Sequence, residues 1–250
     1  MNKFSILLLC LALFSCSRSP QSLAKIDGKQ IPITDSIAKD KGMEEFITPY
    51  RERIQKEMEG SLSFTPEAMF KSDTKLNTPI GNMMADAVME MANPIFKERT
   101  RKDIDLVILN YGGIRSGINA GEITTRTAYD IMPFENEVVV AELASDELKE
   151  LVNYLAQNKT AHPISGLQIT LDAKGNLAEA KVNGKQIQNK SYFVATSDYL
   201  LKGGDQMDFF LEAQSVKIIE YKLRNLLIDY FKKKDTIAPK RDNRFIQLKN

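Results

Sequence analysis

Asn110-Tyr111-Gly112-Gly113-Ile114-Arg115 follows directly on the apolar run Ile104-Asp105-Leu106-Val107-Ile108-Leu109, and this junction decides how the chain is read. A short run rich in aliphatic and β-branched residues predicts a buried strand. Two consecutive glycines at its end let the backbone turn sharply and approach a ligand closely. Arg115 then offers a planar fork of donors suited to phosphate or carboxylate. A Gly-Gly pair after a strand also reads as an ordinary tight turn, so the segment gains its meaning from two others.

The second segment is Met132-Pro133-Phe134-Glu135-Asn136, immediately before the strand-like run Glu137 to Leu143. Pro133 fixes a loop, Phe134 sits at its tip, and Asn136 adds an amide. The third is Ser197-Asp198-Tyr199-Leu200-Leu201-Lys202-Gly203-Gly204-Asp205, after the predicted strand Tyr192 to Thr196. Each segment adjoins a predicted strand end, where ligand-binding loops gather. Together they supply a cation, two aromatic rings, a carboxylate and several backbone or amide groups. That inventory suits a nucleotide: rings for the base, an acid for ribose hydroxyls, an arginine for phosphate.

In this order and spacing the three segments resemble the C-terminal substrate-binding domain of the 5′-nucleotidase family, which also includes 2′,3′-cyclic-nucleotide phosphodiesterases and UDP-sugar hydrolases. The family pattern is roughly Asn-x-Gly-Gly-Ile-Arg, then Pro-Phe-Gly-Asn, then Asn-Phe-x-x-x-Gly-Gly-Asp. The 19-residue step from Arg115 to Phe134 and the six-residue step from Tyr199 to Asp205 both fit it. The likeness extends over roughly Leu76 to Lys233. It implies an α/β (α+β) fold of layered mixed β-sheets flanked by helices. It also implies that Phe134 and Tyr199 hold the base between them, that Asp205 accepts from the ribose, and that Asn136 contacts the base. Asn110, Gly112, Gly113 and Arg115 would line the face presented to the phosphate.

Three departures from the pattern bear on the ligand. Glu135 stands where the family has glycine, placing a negative charge beside the base platform. Tyr199 replaces phenylalanine and can still stack. The family's upstream arginine is absent from Lys71-Ser72-Asp73-Thr74-Lys75-Leu76-Asn77-Thr78-Pro79-Ile80-Gly81-Asn82, which leaves Lys75 as the nearest substitute for a phosphate contact.

Full-length members also carry a metallophosphoesterase domain whose two metals are held by Asp, Asn and several His. This chain has one histidine, His162, followed by Pro163. One histidine cannot build such a dinuclear site, and His162 reads as a loop residue near the pocket. No metal ligand and no catalytic residue is therefore expected here. Divalent metals are expected only in a partner metallophosphoesterase. Three readings stay open: a nucleotide- or nucleoside-binding domain served by such a partner in trans, a hydrolase in its own right, and a surface lipoprotein that keeps the fold without the ligand.

The 34 basic and 33 acidic residues give a net charge of +1, which offers no electrostatic case for nucleic acid. At 250 residues with 43% hydrophobic side chains, the chain can bury one good core or two small ones. Ser17 to Lys25 reads as a tether within an N-terminal extension of residues 16–38, and residues 39–250 as one α/β domain. A helix is expected from Lys39 to Gly60 with Phe46, Ile47, Tyr50 and Ile54 inward. A second should be capped by Thr78 with Pro79 at its first turn and Met83, Ala87 and Met91 on one face, and a third capped by Ser145. A short segment spans Ala128 to Met132. Strands are expected at Leu167 to Leu171 and Ala178 to Val182, with turns at Asp172–Asn176 and Asn183-Gly184. A last helix is expected from Val216 to Lys233, packing Ile218, Leu223, Leu226, Leu227 and Tyr230.

Residues 1–15 read as a signal segment: Lys3, then the apolar run Phe4 to Phe14, too short to span a bilayer. It ends Leu13-Phe14-Ser15-Cys16, the bacterial lipobox pattern, in which the cysteine carries lipid. Cys10, the second cysteine, falls in the removed segment, so no disulfide is expected. The expected location is the cell envelope, anchored by lipid and facing the periplasm or the surface. Replacing Cys16 by alanine should move the protein from the membrane pellet to the soluble fraction. A Cys16→Ala protein that stays in the pellet, or a mature N-terminus mapped elsewhere, would disprove the anchor.

Overall fold

Successive residues of one short strand feed two different cores. Leu106 and Ile108 pack into one cluster and Val107 and Leu109 into another. This is the two-residue period of a strand covered on both faces. The computed structural model describes Leu23 and residues 25–249. Cys16 and the signal segment lie outside the described residues. In chain order the elements are α1 (Lys41–Glu59), β1 (Ser61–Thr65), α2 (Pro79–Thr100), β2 (Leu106–Ile108), β3 (Gly121–Thr124), α3 (Thr125–Ile131) and β4 (Glu137–Leu143). There follow α4 (Ser145–Asn158), β5 (Ile164–Ser165), β6 (Leu167–Leu171), β7 (Leu177–Val182), β8 (Lys185–Gln186) and β9 (Tyr192–Ser197). The chain closes with α5 (Asp198–Leu201), β10 (Ser215–Lys222), α6 (Leu223–Lys232) and β11 (Phe245–Gln247).

The central sheet has the order β10-β4-β9-β2-β5. β2 runs parallel to β9, whereas β4 is antiparallel to β9 with Val138 opposite Ser197. One face carries Val138, Val140 and Ala195 against α2, α3 and α6. The other carries Ala141, Leu143 and Val194 against α4 and a second sheet of order β11-β6-β7-β8. A two-stranded β1–β3 ladder completes the set. The layered α/β architecture expected from the sequence is the one observed.

Local chemistry explains most element ends. Thr78 accepts from the Gly81 N–H and Pro79 occupies the first turn of α2, as expected. Met83 and Ala87 are buried and Met91 packs against the same core. Thr124 opens α3 with a reciprocal cap to Thr127. The turns at Asp172–Asn176 and Asn183-Gly184 join antiparallel strands, with left-handed backbone at Asn183 and at the Gly175 and Gly184 positions.

Three expectations are corrected. In α1 no residue is buried: Phe46 is 65% exposed, Tyr50 61% and Ile54 56%, with Ile47 half-buried. An apolar stripe says which side of a helix is greasy but not whether another element covers it. The chain divides into two compact units between Thr48 and Pro49, inside α1. Ser145 is not a cap: Ala144 holds that position, and the Ser145 hydroxyl donates to Asn189 Oδ1 at 3.2 Å. Leu148, Leu151, Val152 and Leu155 are nonetheless buried as expected. The last helix starts at Leu223, because Ser215–Lys222 pairs with β4 as a strand and leaves Ile218 56% exposed. The β-branched alternation of Val216, Ile218 and Ile219 favours the pleated ladder, and Glu220, at φ 61°, marks the irregularity that ends it. Leu223, Leu226, Leu227 and Tyr230 are buried in α6 as expected. Among the described residues no helix is long and apolar enough to cross a membrane.

A buried polar knot fastens β11 to the start of α2. Asn77 Nδ2 donates to the Phe245 carbonyl at 2.8 Å and the Asp242 carbonyl at 3.2 Å. Its Oδ1 accepts from Asn82 Nδ2 and the Asp242 N–H. Arg244 grips Asp86 with both terminal nitrogens, at 3.0 and 2.9 Å. Removing the amide would strand buried carbonyls, each costing about 1–3 kcal/mol. Asn77→Ala should therefore lower unfolding stability by about 2–3 kcal/mol. Urea denaturation reads this as a lower midpoint, and an unchanged midpoint would refute the role given to the knot.

Candidate functional site

Strand directions bring the three loops together. β2 and β9 are parallel, so the residues after each emerge at one sheet edge, and β4, antiparallel to β9, begins at that same edge. In sheets of this kind ligands bind outside the carboxyl ends of the strands. Asn110, Gly112, Gly113, Arg115, Phe134, Asn136, Tyr199 and Asp205 line a single cavity of about 330 Å³. All eight positions singled out from the sequence thus face one space.

Asp205 organises its floor. Asn110 Nδ2 donates to Asp205 Oδ2 at 2.9 Å and the Tyr199 hydroxyl donates to Oδ1 at 2.8 Å. From α4, the Tyr154 hydroxyl donates to the Asp205 carbonyl at 2.8 Å. Asp205 and Gln206 hold left-handed backbone, with φ of 53° and 62°, a conformation costly for residues with a Cβ and kept only where the surroundings impose it. Two glycines are dictated by close packing. A Cβ on Gly113 would sit 2.7 Å from Asn110 Oδ1, and one on Gly204 would sit 2.5 Å from the Tyr199 ring. The accepted bond to Asp205 holds the Tyr199 proton and raises its pKa.

The walls are aromatic and cationic. Phe134 and Tyr199 are 41% and 43% exposed, leaving ring surface open to the cavity. The Arg115 guanidinium lies 5.8 Å from the Phe134 ring centroid, and its NH1 donates to the Gly112 carbonyl at 3.4 Å. Its N–H donates to the Ile131 carbonyl at 2.9 Å, tying the Gly-Gly loop to the end of α3. The Asn136 carbonyl accepts from the Leu223 N–H at 2.9 Å.

Glu135 does not line the cavity. It pairs with Lys222 and with Arg224, and the Lys222 bond, followed by that to Arg224, holds its carboxyl at a pKa of about 2. The charge that looked hostile to a ligand is neutralised by two cations of the β10–α6 junction. Lys75 is placed elsewhere: it lines a separate cavity with Leu76, Lys159 and Arg241. The lysine beside the Gly-Gly loop is Lys71, whose Nζ donates to the Ile114 carbonyl at 2.8 Å and sits 4.6 Å over the Tyr111 ring. The sequence offered no spacing that distinguished Lys71 from Lys75, and the turn at Phe70–Asp73, closed by the Phe70 N–H to Asp73 Oδ2 bond, makes the difference.

His162 is buried under the loop, where its Nδ1 accepts from the Tyr111 N–H at 3.1 Å. Among the described residues no group of three or more His, Cys, Asp or Glu side chains is placed to hold a metal ion.

Residues 59–212, more than half of the chain, match the family described as "5′-nucleotidase, C-terminal domain". The chain belongs to that family. It is 25% identical over 192 residues to the 5′-nucleotidase of Vibrio vulnificus, an alignment covering 72% of this chain and 32% of that protein. It is 28% identical over 187 residues to the trifunctional nucleotide phosphoesterase of Bacillus subtilis, covering 68% of this chain and 12% of that one. The solved 5′-nucleotidase precursor from Thermus thermophilus superposes with a TM-score of 0.68 at 20% identity, over 83% of this chain and 43% of its own, a likeness of fold. The chain spans about a third of the length of the Vibrio relative.

Burial pushes the His162 pKa below its ordinary 6.5, and the nearby Asp205 charge only partly opposes this. The folded protein then binds fewer protons than the unfolded chain just below 6.5. His162 accordingly contributes stability that is fully present above that value and is lost as pH falls through its folded pKa. The slope approaches about 1.4 kcal/mol per pH unit. Between pH 7 and pH 5 the wild type should lose more stability than His162→Asn, whose replacement does not titrate. Parallel urea curves at the two pH values provide the check, and equal losses would disprove the assignment.

Proposed function

We propose that this chain is a nucleotide- or nucleoside-binding domain that takes part in nucleotide hydrolysis, with the phosphoryl chemistry performed by a metallophosphoesterase supplied in trans. The observation that carries the reading is the convergence of the Asn110–Arg115, Phe134–Asn136 and Tyr199–Asp205 positions on one cavity. The base is assigned to the exposed rings of Phe134 and Tyr199, with Asn136 at its edge. The ribose hydroxyls are assigned to Asp205, already preset as an acceptor by Asn110 and Tyr199. Arg115 takes the phosphate, its fork lining the cavity beside Phe134.

His162 supports placing the metal centre on another chain. It is the one histidine of the sequence, it is buried, and its Nδ1 is already engaged by the Tyr111 N–H. Two-metal hydrolysis needs several ligands and an activated water, for which this side chain is not available. The reading also places the chain in the cell envelope, held by a lipid on Cys16. Names of relatives do not fix a substrate, because one fold hosts many chemistries.

Base–aromatic stacking is worth about 1–3 kcal/mol per base, so Phe134→Ala should weaken adenosine or AMP binding about tenfold or more. Titration calorimetry on the wild type that gives neither heat nor thermal stabilisation with any nucleoside or nucleotide at millimolar levels would sink the proposal.

Hydrolysis gives a second test. Phosphate-ester cleavage in water is so slow that a catalyst must remove many kcal/mol of barrier. Purified chain given AMP or cyclic nucleotides, with zinc, manganese, cobalt or calcium in turn, is expected to release no phosphate. Release should appear when a metallophosphoesterase is added and should fall in Arg115→Ala. Metal-dependent release that co-purifies with the chain alone would make it a hydrolase in its own right.

A further inference from the structure

Arg224, in the first turn of α6, is an interior cation, its side chain only 7% exposed. Burying a guanidinium is expensive unless its donors are met, and Arg224 Nε is buried with no partner. The donors that are met all go to one stretch of chain. NH1 donates to the Pro133 carbonyl at 3.1 Å and the Phe134 carbonyl at 3.4 Å, and NH2 pairs with Glu135. The guanidinium lies 4.1 Å over the ring of Tyr129, in the helix that leads into that stretch. Lys222 pairs with the other oxygen of Glu135, and the Leu223 N–H donates to the Asn136 carbonyl. Three consecutive residues, 222 to 224, therefore grip four consecutive residues, 133 to 136.

The grip acts on backbone and on Glu135 and leaves Phe134 41% exposed at the cavity wall. We propose that Arg224, with Lys222, is a positioning residue for Phe134: it fixes the loop so that the ring is presented to a nucleobase before the ligand arrives. The inference rests on the reading of this cavity as a base-binding site. It explains why Glu135 can stand where the family pattern has glycine, since the carboxylate is the handle that both cations hold. A tip fixed in advance spares the ligand the entropic cost of ordering it. Arg224 and Lys222 also lie beyond residues 59–212, outside the stretch that matches the family.

The test uses the full chain, with Arg224→Met to keep length without charge. Glu135→Gln, at an exposed position, removes the charge but keeps an acceptor for Arg224, and serves if Arg224→Met does not fold. Adenosine and AMP report on the base, and ribose 5-phosphate, which lacks one, is the control. Arg224→Met should weaken adenosine and AMP about tenfold, the size of a stacking contact, and Glu135→Gln should weaken them less. Both should leave ribose 5-phosphate unaffected. In a Phe134→Ala background Arg224→Met should have no further effect, since the two act through one contact. In ligand-free protein, amide exchange at Phe134–Asn136 should quicken in the variants while that of β4 and α4 is unchanged. Equal losses for ribose 5-phosphate, or additive losses in the Phe134→Ala background, would overturn the positioning role. If the wild type binds no base-bearing ligand, the functional reading fails on its own. Loop exchange then decides the grip separately, and unchanged rates would overturn it.

Discussion

The parallel pairing of β2 with β9 is the constraint on which the rest of the structure depends. Leu106 sits beside Val194 and Val107 beside Ala195, in a sheet whose faces are sealed by α2 and α6 on one side and α4 on the other. A parallel pair needs a long crossover, and here the intervening chain supplies β4, α4 and three strands of the second sheet. Because both faces are buried, a one-residue slip would send aliphatic side chains into the wrong core. The fixed register in turn fixes where Asn110 and Ser197 leave the sheet. The loops at that edge therefore inherit their positions from core packing far larger than any contact they make themselves.

Within that frame the carboxylate of Asp205 is the polar centre. It accepts from Asn110, which follows β2, and from Tyr199, which follows β9, while its carbonyl is held by Tyr154 of α4. Three elements with separate sequence origins thus meet on one residue whose backbone is left-handed. An acceptor held this way is oriented before any hydroxyl arrives, at a local conformational cost of about 1–3 kcal/mol.

The cavity-lining residues were legible in the sequence because each is a discrete chemical type at a fixed offset from a strand. Gly112-Gly113-Arg115, Phe134 and Tyr199–Asp205 announce themselves in this way. The two faces of β2 were also readable, since its apolar residues are continuous. Illegible were the features set by partners far along the chain. Glu135 looked like an unpaired charge because Lys222 and Arg224 lie 87 and 89 residues away. Val216–Lys222 looked helical because its apolar residues satisfy either period over so short a run, and only pairing with β4 settles it. Lys75 and Lys71 differ by a single turn that no composition rule marks. β11 escaped notice for the same reason: three residues become a strand only because β6 offers an edge and Asn77 a pair of polar contacts.

Asn110 and Asp205 are bonded side chain to side chain across 95 residues of sequence. Closing so long a loop carries an entropic cost that only a finished core offsets. The floor of the cavity therefore depends on the finished sheet, with β9 placed between β2 and β4. The cavity is therefore acquired together with the whole topology rather than built from local contacts.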